Sequence, residues 1–232
     1  MIEAIDISKS YGSLRVLDNV SISLSDSEIT AIVGPSGAGK TTLLQIIGAL
    51  DRPDSGEVKY DGTSVFGLSD RKLSSLRNRN IGFVFQFHQL LPEFSLIENV
   101  IMPALIRGVS VKEAMERARY LCDYLGISHR LSHRPAQLSG GECQRGAVAR
   151  ALMNNPSIIL ADEPTGSLDS HNRAELHRLF FDIRRDMGAS FAIVTHDESL
   201  AADCDKIVYL RDGVVDHVEQ RNQSLNGKES DI

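Results

Sequence analysis

Apolar and polar positions alternate at the start of the chain. Residues 2 to 7 (IEAIDI) and 20 to 24 (VSISL) carry apolar side chains at roughly every second position, with turn formers between them, which predicts two strands each buried on one face. ITAIV at 29 to 33 is instead a continuous, β-branched run, as expected of a strand covered on both faces. GPSGAGKT follows directly, and TLLQIIGAL after it gathers its apolar residues on one helical face, so this stretch predicts strand, glycine loop and helix. Residues 51 to 65 (DRPDSGEVKYDGTSV) are turn formers around a short strand, and IGFVF at 81 to 85 predicts another buried strand.

After Gln86 the pattern changes. QLLPEFSLIENVIMPALIRG mixes apolar residues with Pro92 and Pro103 and shows no strand alternation, which predicts helices. VKEAMERARYLCDYLG places Ala114, Met115, Ala118, Leu121, Cys122 and Leu125 on one face at helical spacing, with Gly126 as its cap. A mainly helical subdomain is therefore expected from about 87 to 155, inserted into an α/β core formed by 1–86 and 156–220. The core resumes with SIILAD and a helix from about Asn172 to Met187, with Leu176, Leu179, Phe180 and Ile183 inward. Strand FAIVT (191–195), helix DESLAADC and strand KIVYL (206–210) follow. Strands alternating with helices predict a parallel sheet with right-handed crossovers. Residues 1 to 220 thus form one domain of the α/β class, and 221 to 232 read as a polar, frayed tail.

Composition narrows the partners. The 232 residues carry a net charge of −6 and a pI near 5.6. That balance argues against nucleic acid, because no basic stripe is present to neutralise phosphates. The short cluster Arg71, Lys72, Arg77 and Arg79 reads as a solvated helix face. Three cysteines without a close pair, Cys122, Cys143 and Cys204, indicate neither a disulfide framework nor a zinc site, and a reducing cytosol fits. The N-terminus lacks the pattern of a signal peptide, and no run approaches the roughly 18 apolar residues of a membrane helix. Work at a membrane would need other chains to hold the protein there.

GPSGAGKT fits G-x-x-x-x-G-K-[ST] between a buried strand and a helix, the context that pattern demands. Its glycines let backbone N–H groups converge on phosphate oxygens, and the helix N-terminus adds partial positive charge. Lys40 would reach the β- and γ-phosphates, and Thr41 would offer Mg²⁺ a hydroxyl oxygen. Asp162 and Glu163 end a buried strand, where one carboxylate can hold Mg²⁺ and its neighbour can polarise an attacking water; Asp162 is assigned to the metal and Glu163 to the water. His196, in VTHD, ends the next strand, where it could hold the water or sense the γ-phosphate. Gln86 ends IGFVF at the same edge and could contact Mg²⁺ or the water. Tyr11, before Gly12 in an N-terminal turn, could stack on adenine, a contact worth roughly 1 to 3 kcal/mol. Ser139, Gly140 and Gly141 form a second anion cradle at a helix start. One nucleotide already has its phosphates in the first cradle, so the second either binds something else or faces the nucleotide of another copy.

With GPSGAGKT, Gln86, LSGGE, SIILADE, SLD and VTHD in this order, the chain resembles the ATP-binding cassette ATPase family over nearly its whole length. The resemblance implies a P-loop NTPase core with a parallel sheet, an N-terminal antiparallel β subdomain and the inserted helical subdomain. It implies ATP hydrolysis with Mg²⁺ by a head-to-tail homodimer that closes on two ATP molecules. Gly34, Pro35, Ser36, Gly37, Ala38, Gly39, Lys40, Thr41 and Thr42 of one copy, with Ser139, Gly140, Gly141 and Glu142 of the other, would hold each nucleotide. Asp169 would lie at the dimer interface, and the helical subdomain with Gln86 would couple to two integral-membrane permease subunits.

QFHQLLPEFSLIENVIMPALI and HRPAQLSGGE are similar to the ATPase subunits of lipoprotein-releasing exporters of Gram-negative inner membranes. This implies permeases of the LolC and LolE types and a place on the cytoplasmic face of the inner membrane, held there by those permeases. Lipoprotein cargo would be reached only through them. Related branches serve macrolide efflux or cell division. Soluble members that act on DNA or ribosomes usually carry a coiled-coil insertion or two cassettes, and this acidic single cassette has neither; a permease scaffold with little turnover is a third alternative. Two positions depart from the family pattern: Cys143 stands where arginine or glutamine is common, and Gly146 where a larger apolar residue is common.

Overall fold

The computed structural model describes residues 1–221. Strand β1 (Ile2–Tyr11) pairs antiparallel with β2 (Leu14–Leu24) and, on its other side, with β4 (Ser55–Tyr60), which pairs with the short β5 (Thr63–Ser64). Both early strands are longer than their alternating segments. The pairing of β1 with β2 shifts register after Ala4, after Ile7 and after Lys9, and Asp6 sits there at φ 52°. Such bulges break the period of two, so alternation ends while the ladder continues to Tyr11.

The second sheet has six strands in the order β10-β9-β3-β8-β7-β6. Its centre is β3 (Ile29–Val33), flanked in parallel by β8 (Ser190–Val194) and β9 (Lys206–Arg211); β7 (Ile158–Asp162) and β6 (Ile81–Phe85) extend it, also in parallel. At the other end β10 (Val214–Gln220) pairs antiparallel with β9. The expected parallel sheet therefore carries one antiparallel edge strand, joined by a two-residue turn in which Asp212 and Gly213 both have positive φ.

Helix α1 (Lys40–Ile47) leaves the end of β3 and buries Leu43, Leu44, Ile46 and Ile47. Helix α6 (Ser170–Met187) lies on the sheet, where Phe180 meets Phe191 of β8 with ring centroids 5.1 Å apart, a tilted pair that adds roughly 1 kcal/mol to the area it buries. Helix α7 (Glu198–Asp203) follows β8 and precedes β9. Helix α2 (Asp70–Asn80) carries the basic cluster and buries only Leu73.

Between β6 and β7 the chain forms α3 (Leu96–Arg107), α4 (Val111–Tyr124) and α5 (Gly140–Leu152), with short 3₁₀ turns at Ser128–Arg130 and Pro135–Gln137. The face expected for α4 is the one that packs, with Ala114, Ala118, Leu121 and Cys122 buried. Ser110 caps that helix by accepting from the Glu113 N–H at 3.3 Å. Ser110→Ala is expected to cost about 1 kcal/mol, read as a lower midpoint in urea at unchanged slope. A midpoint equal to that of the parent would show that the cap contributes nothing. Among the described residues no helix is long and apolar enough to cross a membrane.

Candidate nucleotide site

Parallel strands deliver their C-terminal ends to one edge, and ligands of open α/β sheets bind there. The ladder sets Phe85 level with Asp162 and Asp162 level with Val194, so the residues just beyond, Gln86, Glu163 and the turn to His196, emerge side by side. The loop from Gly34 to Gly39 emerges from β3 in the same sheet, one strand further on.

That loop is folded by its glycines. Gly34 has φ 154°, and a Cβ added there would lie 2.0 Å from the Leu210 carbonyl oxygen. Gly39 enters α1 at φ 97°. Lys40 bends back across the loop and donates to the carbonyls of Gly34 at 2.8 Å and Pro35 at 3.0 Å, which holds its ammonium over the loop's own backbone. Pro35, Ser36 and Gly37 are exposed at the crest, and Ala38 is buried beneath them.

Thr41, Gln86, Asp162 and Glu163 line one cavity of about 290 Å³ with Gln45, Phe85, Phe87 and Gln89. The Thr41 hydroxyl donates to Asp162 Oδ1 at 3.1 Å. Burial pushes the Asp162 carboxyl above its ordinary range, and the neighbouring Glu163 charge adds to that. A half-buried carboxylate beside a hydroxyl is a hard-oxygen pair that fits a divalent cation, whose charge would favour the ionised form. Among the described residues no group of three or more His, Cys, Asp or Glu could hold a metal ion, so such a cation would need phosphate and water oxygens as well.

Glu163 has φ 48°, a conformation that costs a non-glycine residue of order 1 to 3 kcal/mol and is held by its surroundings. Its N–H donates to Val194 O at 2.9 Å and its carbonyl accepts from Gly166 N at 3.1 Å. Its Oε2 lies 2.8 Å from Nδ1 of the exposed His196, yet it is buried and receives no aligned donor. The side chain that would face water is thus positioned by backbone bonds and a single charge-capable neighbour.

Sequence reasoning missed the residues that hold Gln86 in place. Gln144 Nε2 donates to Phe85 O at 2.9 Å, Ser167 Oγ to Gln86 O at 3.0 Å, and Arg150 to the carbonyls of His88 and Gln89 at 2.9 and 2.7 Å. A Cβ on Gly166 would lie 2.8 Å from Gln86 Nε2. These contacts span some 59 to 81 residues, and nothing local announces them.

Ser139, Gly140, Gly141 and Glu142 do not join that cavity. They start α5, where Ser139 Oγ accepts from Glu142 N and the Glu142 carboxylate accepts from Ser139 N at 2.8 Å, a reciprocal cap. This bond and the Arg130 guanidinium hold the Glu142 carboxyl down at about 2. The nearest side chains around the two glycines come from the loop and helix after Glu163: a Cβ on Gly140 would meet Leu168, and one on Gly141 would lie 2.5 Å from Asn172 Oδ1. Asp169 is exposed and caps α6 through Asn172 N at 3.0 Å. Tyr11 ends β1 with its ring half exposed.

The profile of the ABC transporter family matches residues 17–166, which spans the glycine loop, Gln86, the second cradle and the carboxylate pair. The chain belongs to the ABC transporter family. Among curated ABC transporter ATPases, it is 58% identical to the lipoprotein-releasing system ATP-binding protein LolD of Bacteroides thetaiotaomicron, over 93% of this chain and 99% of that protein. Identity to the LolD protein of Porphyromonas gingivalis is 60%, over 93% and 98% of the two chains. A solved dimeric structure of MJ0796, a bacterial ABC transporter cassette, superposes with a TM-score of 0.88 at 39% identity, covering 95% of this chain and 98% of that one. A second structure of MJ0796 is a post-hydrolysis dimer bound to ADP and Pi, with a TM-score of 0.87. The chain is therefore a nucleotide-binding cassette whose ATP hydrolysis is coupled to transport.

Both departures from the family pattern lie in the packed interior of this ABC cassette. A Cβ on Gly146 would stand 2.5 Å from Leu96 Cδ1, so the glycine lets α5 approach the start of α3 closely. Cys143 is buried, its Sγ faces the Pro135 carbonyl at 3.6 Å, and burial pushes its thiol above the ordinary range. A thiol in that setting is unreactive.

Proposed function

We propose that the chain is the ATP-hydrolysing subunit of an exporter that releases lipoproteins from the inner membrane toward the outer membrane. The observation that carries this reading is the 58% identity to a LolD protein along 93% of the chain, which includes the helical segment as well as the shared ATPase motifs.

Each residue then has a part. The backbone of Gly34 to Thr42 and the Lys40 ammonium bind the β- and γ-phosphates. Tyr11 offers a face to the adenine ring. Thr41, Asp162 and Gln86 would hold Mg²⁺, which when bound neutralises phosphate charge during transfer. Glu163 accepts the proton of a water aimed in line at the γ-phosphate, and His196 orients that water or the phosphate oxygen beside it. Ser139 to Glu142, set apart from this cavity in their own chain, face the nucleotide of a second copy, with Asp169 at the interface between copies. Two integral-membrane permeases of the LolC and LolE types recognise the lipoprotein and hold the cassette at the cytoplasmic face of the inner membrane.

A groove supports the permease contact. It encloses about 380 Å³ between α2, β6, α3 and α5, lined by Leu50, Arg77, Phe83, Phe85, Pro103 and Ile106 among others. Of these, Ile106 is 72% exposed, so the groove offers an open apolar face.

Copurification with the permeases of its native membrane, followed by reconstitution in lipid vesicles loaded with a lipoprotein, tests the reading. ATP is expected to release the lipoprotein to a soluble acceptor. Hydrolysis without release, or copurification with macrolide-efflux or cell-division permeases, would assign the chain to another branch.

A further inference from the structure

The face that Tyr11 would offer to adenine is not free to turn. Its hydroxyl donates to Asp51 Oδ2 at 2.7 Å. The other oxygen of that carboxylate accepts from Lys9 Nζ at 2.9 Å and from Arg52 N at 2.7 Å. Lys9 also donates to the Arg52 carbonyl at 2.6 Å, and its ammonium lies 5.2 Å from the centroid of the Tyr11 ring. The ion pair is largely shielded, with the Lys9 side chain 12% and the Asp51 side chain 30% exposed, whereas Tyr11 is 49% exposed. A cation over a ring face is attracted to it, and the shielding here strengthens that attraction.

Asp51 does not belong to the strand that carries Tyr11. It follows α1, the helix that begins at the end of the phosphate loop, and Leu50 N and Asp51 N both donate back to Gln45 O of that helix, at 2.8 and 3.3 Å. A second staple runs alongside, since Ser10 N donates to Asp54 Oδ2 at 2.7 Å and Asp54 N to Ser8 O at 2.8 Å. The tip of β1 is thereby fastened to the segment that leaves the C-terminal end of α1, the helix that begins at the phosphate loop. A ligand with a flat base and a phosphate tail gains from both contacts only if their separation is fixed beforehand.

We propose that Asp51, braced by Lys9, is a positioning residue that locks the Tyr11 ring at a set distance from the phosphate loop, so that the base and the triphosphate of one nucleotide engage together. Lys9 occupies one face of the ring and leaves the other for the base. This rests on the reading of Tyr11 as the adenine platform. Asp51 itself touches no substrate atom. Its effect belongs to ligands that have a base, and it acts on KM more than on kcat.

The test is calorimetry of the full-length protein with ATP and with inorganic tripolyphosphate, which has the charge and no base. Tyr11→Ala is expected to weaken ATP about thirtyfold, within the range for loss of base stacking, and Asp51→Ala about fivefold. Neither change should alter tripolyphosphate binding. Asp51→Ala should add nothing in the Tyr11→Ala background, and Asp51→Asn, which keeps an acceptor for the hydroxyl, should recover most of the affinity. Tyr11→Phe removes only the anchored hydroxyl and is expected to weaken ATP about threefold; it carries the test if Asp51→Ala does not fold. If Tyr11→Ala weakens ATP but Asp51→Ala and Tyr11→Phe do not, the positioning role is overturned and the platform stands. An Asp51→Ala loss that persists in the Tyr11→Ala background, or that appears equally with tripolyphosphate, overturns it as well. Wild-type ATP affinity in Tyr11→Ala removes the platform and the proposal with it.

Discussion

Glu163→Gln is expected to lower ATP turnover about a thousandfold while leaving ATP affinity within a factor of about two, because loss of a general base typically costs between a hundred- and ten-thousandfold. The amide matches the carboxylate in size. The bonds that hold the backbone here, Glu163 N to Val194 O and Gly166 N to Glu163 O, do not involve the side chain. The substitution therefore removes the proposed proton acceptor and the charge that faces His196 Nδ1 at 2.8 Å, and leaves the backbone in place. ATP that binds and is not consumed should accumulate between two copies, so sedimentation with ATP should show a dimer that the parent protein shows weakly. Phosphate release under saturating ATP is the deciding measurement. Turnover close to that of the parent would take the water-polarising role away from Glu163.

The second large effect is expected at Gly34. A methyl group there would stand 2.0 Å from the Leu210 carbonyl oxygen and 3.1 Å from its carbon, atoms of the β9 backbone that cannot swing aside as a side-chain tip can. Gly34 also sits at φ 154°, which L side chains rarely adopt. Relief requires the loop to lift from the sheet or β9 to separate from β3, and either motion misdirects the N–H groups meant for phosphate. Gly34→Ala is expected to weaken ATP binding at least a hundredfold, on the scale of about 3 kcal/mol for several misaligned charge-assisted bonds, and to lower the melting temperature by several degrees. Calorimetry and a thermal melt read both. Normal affinity in the alanine variant would show that the loop tolerates the displacement.

Parts of this architecture were legible because they are continuous in sequence. ITAIV, GPSGAGKT and the apolar stripe after it form one uninterrupted strand, loop and helix, so pattern and neighbourhood agree there. Gln86, Asp162, Glu163 and His196 could be placed on one edge because each follows a buried apolar run, and parallel strands share a direction. What escaped has physical reasons. In α2 only Leu73 is buried, so no apolar stripe set its bounds, although the cluster from Arg71 to Arg79 reads as a solvated helix face. In β10, VVDHVEQ is an edge strand wet on most of its length, although the Asp212-Gly213 dipeptide before it is a strong hairpin signal that was there to be used. The bulge at Asp6 ended the alternation of β1 and hid the reach of that strand to Tyr11. The clamps on Gln86 from Gln144, Ser167 and Arg150 depend on tertiary folding alone.

In the proposed complex, those clamps would place one helix between two ligands. Helix α5 presents Ser139 to Glu142 at its start, grips the backbone from Phe85 to Gln89 through Gln144 and Arg150, and lines the groove with Arg150 and Ala151. A helix whose arrangement differed between the two occupied states would make their binding equilibria interdependent, and thermodynamic linkage is symmetric. Whatever factor a nucleotide adds to or removes from the cassette's hold on a membrane helix, that helix returns to the nucleotide in the same measure. Permease binding and ATP affinity would then be two readings of one coupling energy.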